Sequence, residues 1–564
     1  MTMNFAKAIY AVAAVLVPLA VHSQNLNPTV EVTNIFEGSA AGIRKPSQTM
    51  AVPDSVMKFN LDFDYSVFDN PYKGAYEFSP YLISLKPHPD AYDGKDFYLK
   101  AGAGYTLHPE LKLVWIPRME GRFKMNVFAD HSSYFGKYRT IAGKKLEDGL
   151  YRYGFSGDKF RGHDSFSKVG AGASYSWKGG IASLGVAYGN LHVKDTLRIR
   201  GNNAVTVTGG VRSHDFQGAG FFYDARGSYT YERDCFSVGD PLNGSTLVFD
   251  GSFGPLLDSE HRLLMDVDMT VSSLSGALQN TIGVLSVAPK YLQRTDRWYF
   301  SLGVKLSAFL GNYSRKSQIV YPDVKVEYEV IRDYMVLYAL IGGGNTVNTY
   351  RDVLMENHHF NPWYACQAPV FLDSSVERVN ASLGVRGNIA RRFQYDLDGG
   401  YARRCNDLLD AVLFDPAKPL SAAPAIGYSD YNLAFVNLRY SWRSRSFEAD
   451  GKLSCKATDL ARRVSPVFAP AAFSGNASFL YRWKDRIGAG ISCEFATARR
   501  ARPTETATVR IPGYADVGLV ADYMLTRKVG FWLRAGNLLG STIQRIPFYS
   551  EDGVYGTGGI YLTF

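Results

Sequence analysis

From the mature region onward the chain repeatedly alternates apolar and polar side chains over runs of about ten residues, and it never sustains 18 consecutive apolar ones. Val379, Ala381, Leu383, Val385 and Ile389 share one face of such a run; Asn380, Ser382, Arg386 and Asn388 share the other. After a short turn, Phe393, Tyr395, Leu397 and Tyr401 alternate with Gln394, Asp396 and Asp398. The pattern returns in Ala515–Tyr523, with Asp516 and Asp522 on the far face, and in Val529–Ala535, with Trp532 and Arg534 there. A period of two is that of a strand, whose successive side chains point to opposite faces. Strands of soluble sheets run to about five or six residues, whereas about ten are needed to cross a bilayer at a tilt. The spacing therefore predicts an all-β chain folded as a transmembrane antiparallel β-barrel.

Composition narrows the choice further. Of 564 residues 14% are aromatic and only 20% charged, which excludes a disordered chain or a coiled coil. Five cysteines in this length exclude a disulfide scaffold. Met1–Lys7 carries one cation, Ala8–Ala20 is apolar, and Val21-His22-Ser23 offers short residues to a signal peptidase. Residues 1–23 are thus expected to be a secretory signal peptide cleaved before Gln24; the apolar run is too short to span a membrane. No cysteine follows the cleavage site, so a lipid anchor is not expected.

Nine short turns punctuate the chain: Arg118–Gly121, Lys178–Gly180, Asp258–Arg262, Arg294–Arg297, Arg332–Asp333, Ala390–Arg392, Arg443–Ser446, Lys484–Arg486 and Thr526–Lys528. Between them lie longer polar segments, among them Asp130–Ser167, Gly343–Glu377 and Asn406–Ser429, read here as loops. Short periplasmic turns and long extracellular loops are the asymmetry of outer-membrane barrels. Trp115, Trp177, Trp298, Trp442 and Trp483 sit beside these turns, where an indole can bury its ring and wet its N–H. They are expected to form one interfacial aromatic belt on the periplasmic side.

Parity gives a strand count. Strand starts can be read near 21 positions, but the stretch from Ile181 to the turn at Asp258 then holds an odd number. Both ends of that stretch are fixed by the turns, so one more strand must lie between Asn202 and Arg233. The expectation is about 22 strands, within a range of 20–22, over residues 97–564. The chain ends Gly559-Ile560-Tyr561-Leu562-Thr563-Phe564, with Ile560, Leu562 and Phe564 on one face; an alternating apolar end closed by an aromatic is the expected signal for barrel assembly.

The stretch Phe531–Phe564 resembles the end of a TonB-dependent receptor barrel, with Asn537-Leu538-Leu539 closing one strand and Gly556, Gly558 and Gly559 leading into the last. The resemblance is one of architecture, from about Phe97 onward, and it implies 22 strands in the bacterial outer membrane. It also implies a plug domain ahead of the barrel, and here the chain departs. Gln24–Asp96 is about half the length of a plug and shows none of its Arg-Gly or Asp-Gly elements. Within it Pro28–Thr33 resembles a TonB-binding peptide through Thr29, Val30, Val32 and Thr33, but without a plug that peptide has nothing to pull open. Prolines at 46, 53, 71, 80, 87 and 89 argue against membrane strands in this segment, which is expected in the periplasm or the lumen. The chain looks like a plug-less relative of the family.

Catalytic and metal chemistry find no purchase. No G-x-S-x-G occurs, and no constellation marks an enzyme. His358-His359 with Glu356 could ligate a metal, but neighbouring side chains point apart, and they read as loop residues. No cofactor is expected. Arg391-Arg392, Arg403-Arg404, Arg462-Arg463 and Arg499-Arg500 are solvated charges, or holders of lipopolysaccharide phosphates or of an acidic partner. The inward face carries both signs (Arg386, Arg439, Lys452 and Arg534 against Asp396, Asp398, Glu448, Asp450, Glu494, Asp516 and Asp522), which predicts cross-strand ion pairs. The aromatics are placed for lipid, so nucleic acid is not an expected partner; outer-membrane lipids, other envelope proteins or a surface lipoprotein are. Two functions remain: a receptor or channel for solute uptake, and a structural barrel subunit of a complex that inserts proteins or surface lipoproteins.

Overall fold

The computed structural model describes residues 96–564 apart from short stretches, of which 361–371 is the longest. The expected signal peptide, the Thr29–Thr33 peptide and residues 24–95 lie outside the described residues. Twenty-two antiparallel strands form a closed barrel. Each pairs with the next, and the last, Tyr555–Thr563, pairs back onto the first, Phe97–Tyr105. Two further short strands, Arg499–Ala501 and Thr508–Ile511, belong to the loop between the nineteenth and twentieth wall strands. The strand demanded by parity exists: it is Ile199–Ser213, paired with Gly180–Lys194 on one side and Gly220–Phe236 on the other.

All nine short turns fall at one end of the barrel, where Phe564 also closes the ring. Its carbonyl oxygen accepts from the N–H groups of Asp96 (2.6 Å) and Phe97 (3.1 Å). At this seam the last two strands and the first come close enough that only glycine fits; a Cβ at Gly559 would run into the carbonyl oxygen of Ala101.

Two segments read as loops are strand instead. Phe123–Lys145 and Leu150–Trp177 form one long hairpin, paired from Phe123 opposite Tyr175 up to Lys145 opposite Tyr151. Phe393–Leu413 and Ala423–Arg443 likewise continue through most of Asn406–Ser429. Above the membrane neither face need be apolar, so the alternation fades while the backbone groups still require partners and keep pairing. Gly343–Glu377 is a loop in its middle only, flanked by the strands Met335–Val347 and Ser374–Ile389.

The outward face is an apolar band between two aromatic rows. Trp115, Tyr175, Trp298, Trp442, Trp483, Tyr523, Phe531 and Phe564 stand exposed near the turn end; Trp177 is half-buried there. Tyr105, Tyr188, Tyr229, Tyr231, Tyr401 and Phe473 stand exposed towards the other end. On the strand Phe473–Trp483, which carries a member of each row, the two stand ten residues apart, roughly 25 Å at about 3.3 Å per residue and a tilt near 40°, the height of a bilayer's apolar band. Ile560 and Phe564 face this band, with Leu562 between them half-buried and paired with Leu99 and Val529.

The inward face pairs its charges across strands, as the mixed signs predict. Arg439 bridges Asp396 (2.9 Å) and Asp398 (3.3 Å), Arg386 meets Glu327 (2.8 Å), Arg482 joins Glu448 (3.3 Å) to Asp522 (3.6 Å), and Arg534 pairs with Glu110. Each removes a bare charge from a wall that lipid screens from the outside.

Candidate functional site: the closed extracellular mouth

The loop between the thirteenth and fourteenth strands folds over the long-loop end of the barrel. Its base is pinned by Asn348, whose side-chain amide donates to the Asp373 carbonyl (2.7 Å) and to Ser375 Oγ (3.0 Å). Thr349 then caps a short helix, Tyr350–Glu356, by accepting from the Asp352 N–H at 3.2 Å. Seven residues are too few to hold a helix by propensity alone. Its stability comes from burial: Tyr350, Val353 and Leu354, spaced to share one face, are all enclosed.

What encloses them joins opposite walls. One apolar cluster holds Leu191 and Val193 of the fifth strand, the helix residues with Phe360, and Leu409, Tyr431 and Leu433 of the fifteenth and sixteenth strands. Those walls stand half a circumference apart in a ring of 22. A second cluster joins Tyr151 and Tyr153 at the tip of the long hairpin to Val412, Phe468, Val509 and Ile511 from three other connections. Gln544, buried in the loop before the last strand, donates to the Tyr153 carbonyl at 2.9 Å.

Polar contacts fix the helix to the wall. Arg200 and Asp234, on adjacent strands above the outer aromatic row, are both buried and meet with Arg200 Nε 2.9 Å from Asp234 Oδ2. Tyr350 donates its hydroxyl to the same carboxylate oxygen at 2.8 Å, and Arg200 donates to the carbonyls of Phe360 and His358. Burial, reinforced by Asp234 and opposed by Arg200, holds the Tyr350 hydroxyl well above its ordinary pKa, so it stays a donor. Beyond the helix His358 Nδ1 lies 2.9 Å from Asp164 Oδ2, while His359 stacks on Tyr549 with centroids 4.1 Å apart. Burial disfavours the charge on His358, but Asp164 outweighs it and raises its pKa; burial disfavours ionised Asp164, and His358 more than compensates. The two histidines thus point apart, each with its own partner, and no group of three metal-ligating side chains occurs among the described residues.

The arginine pairs divide their labour because neighbours on a strand face opposite ways. Arg404 is enclosed with Glu377 and Asp407 while Arg403 donates to Asn432; Arg499 is buried against Asp410 (2.9 Å) while Arg500 is exposed. Arg463 pairs with Asp459 beside exposed Arg462, and Arg392 lies at a turn of the opposite end. Asn537, singled out by the family resemblance, sits at φ 47°, a conformation Asn tolerates, and its side chain caps the following turn by donating to Ser541 O (3.0 Å). Sequence reasoning missed the helix, its apolar partners and Arg200–Asp234, since none of these pairs is local. Cys235, Cys405, Cys455 and Cys493 are free.

No family model and no curated protein matches the sequence. Solved structures do. The FrpB iron transporter from Neisseria meningitidis superposes with a TM-score of 0.62 at 11% identity, covering 83% of this chain and 81% of that one. The copper transporter OprC superposes with a TM-score of 0.60 at 11% identity over 84% and 80% of the two chains. The ferric enterobactin receptor PfeA from Pseudomonas aeruginosa, in a mutant form, gives 0.58 at 9% identity over 83% and 80%. At such identities the likeness is one of fold. With a lipid-facing band between two aromatic rows and turns all at one end, the chain is a bacterial outer-membrane protein with the 22-strand barrel fold of the TonB-dependent receptors.

Proposed function

We propose that this barrel is a solute receptor of the outer membrane whose extracellular loops form a closed, ligand-responsive mouth. The observation that carries this reading is the apolar cluster built around Tyr350, Val353 and Leu354, which ties the fifth strand to the fifteenth and sixteenth. An open diffusion pore has no use for a packed core across its entrance, whereas a receptor needs surface loops with a defined resting structure that ligand contacts can shift. The structural neighbours, transporters of iron and copper and a receptor for ferric enterobactin, support uptake of a metal complex as the first substrate class to screen. The reading is non-enzymatic.

The test uses the purified full-length protein in planar bilayers and in titrations with ferric and cupric complexes followed by intrinsic fluorescence. Silent bilayers together with saturable binding of one complex support the receptor. A large, steady conductance without ligand refutes the closed mouth. Silent bilayers, no solute binding and co-purification with other envelope proteins at fixed ratio would instead support the structural-subunit reading.

A further inference from the structure

Two loops from distant parts of the chain meet above the barrel and complete a four-strand sheet. The hairpin tip brings Lys144 opposite Arg152 in antiparallel register. Leu150–Arg152 then pairs in parallel with Thr508–Arg510, placing Arg152 opposite Arg510. Thr508–Ile511 in turn pairs with Arg499–Ala501, placing Arg510 opposite Arg500. Lys144, Arg152, Arg510 and Arg500 therefore stand in one row across four neighbouring strands, about 14 Å long at about 4.8 Å per strand.

The row has a definite face. Tyr151, Tyr153, Val509, Ile511 and Ala501, which alternate with these residues, are buried in the apolar cluster beneath. The cations point the other way: Lys144, Arg152 and Arg500 are exposed and Arg510 is half-buried. Among the described residues no carboxylate pairs with any of the four. Asp148, at the hairpin tip, accepts from the Leu150 N–H instead, at 3.1 Å.

Like charges directly opposite each other weaken a sheet, and here three successive pairs do so. The apolar cluster holds the strands in register in spite of it, which leaves a row of positive charge that a single extended anion would neutralise. Three of the four are arginines, whose planar forks bind phosphate oxygens in pairs. We propose that Lys144, Arg152, Arg510 and Arg500 form a binding site for a multiply phosphorylated anion. Lipopolysaccharide and free oligophosphate share that chemistry. The site does not depend on the mouth being gated, so it stands or falls apart from the receptor reading.

The experiment is calorimetric titration of the full-length protein in detergent with tripolyphosphate, with lipopolysaccharide and with its dephosphorylated form. Arg152→Gln/Arg510→Gln is compared with Arg212→Gln, a surface change elsewhere. Binding of tripolyphosphate that weakens with salt, and falls about tenfold for each arginine removed, supports the site, with Arg212→Gln unchanged. Binding of lipopolysaccharide alone, lost on dephosphorylation and in the double variant, supports it and assigns the lipid as the source. The double variant should unfold at an unchanged or higher temperature, since it relieves repulsion, which a purely structural role for these arginines would not allow. Absence of binding in both arms, or equal binding by the double variant, overturns the proposal.

Discussion

Leu354→Ala is the sharpest perturbation of the closed mouth. Leu354 is fully enclosed at the centre of the cluster that joins the two walls. Removing its terminal carbons forfeits the transfer energy of a buried leucine beyond alanine and leaves a cavity between elements that belong to different strands. Such substitutions cost about 2–5 kcal/mol; a central value of about 3 kcal/mol raises the open population of the loop by roughly two orders of magnitude. The loss should be local, because the barrel wall is held by its own strand pairing. Hydrogen exchange read by mass spectrometry separates the two. Protection of the helix amides, including Asn357 N–H, which donates to the Val353 carbonyl at 2.9 Å, should fall about a hundredfold. Protection of wall strands such as Ile282–Arg294 should not change. Unchanged protection of the helix would show that the cluster does not hold it, and an equal loss in the wall would show that lid and barrel are one cooperative unit.

Three further outcomes are expected. Arg200→Met leaves Asp234 buried with one partner fewer and should cost the loop and its wall about 3–5 kcal/mol, seen as faster proteolysis at the loop; doubling it with Asp234→Leu should recover much of the loss. The His358–Asp164 contact depends on pH with a definite sign. The raised His358 pKa means its contribution is complete below about 6.5 and lost as pH rises through the higher folded value, while the lowered Asp164 pKa means loss at the acid end only below the ordinary carboxylate range. Helix protection, corrected for intrinsic exchange, should therefore decline from pH 6 to pH 8.5, and a flat profile in His358→Gln would confirm the assignment. Deleting Phe564 removes three backbone hydrogen bonds at the barrel seam, about 1 kcal/mol each, and should lower the heat-modifiable, folded fraction on gels.

Most of what crosses the membrane was legible in the sequence, both its lipid face and its mixed-charge inner face; what stands beyond the membrane was not. Val379–Ile389 and Phe393–Tyr401 announce themselves because a lipid side demands apolar residues and a lumen side admits charge. Ile199–Ser213 escaped direct reading because Asn202, Asn203, Gly209 and Gly210 dilute its alternation; only the parity of the turns required it. The long hairpin was mistaken for a loop because above the membrane its faces carry no such demand. The mouth was illegible for a different reason. Tyr350 meets Asp234 across 116 positions of sequence and Gln544 meets Tyr153 across 391, and nothing local records either contact. The row of cations is likewise a property of register: Arg499-Arg500 is visible as a pair, but which of the two is buried, and what the other stands beside, follows only from the strand pairing.

The closed mouth is tested most directly by a distance. Nitroxide labels on cysteines placed at Glu356 in the helix and Arg462 in the loop after the seventeenth strand, in an otherwise cysteine-free chain, report their separation in outer-membrane vesicles by pulsed electron resonance. A single narrow distribution without ligand, broadened by Leu354→Ala, is the predicted result. A broad distribution in the unmodified sequence would contradict a mouth closed by its own loops.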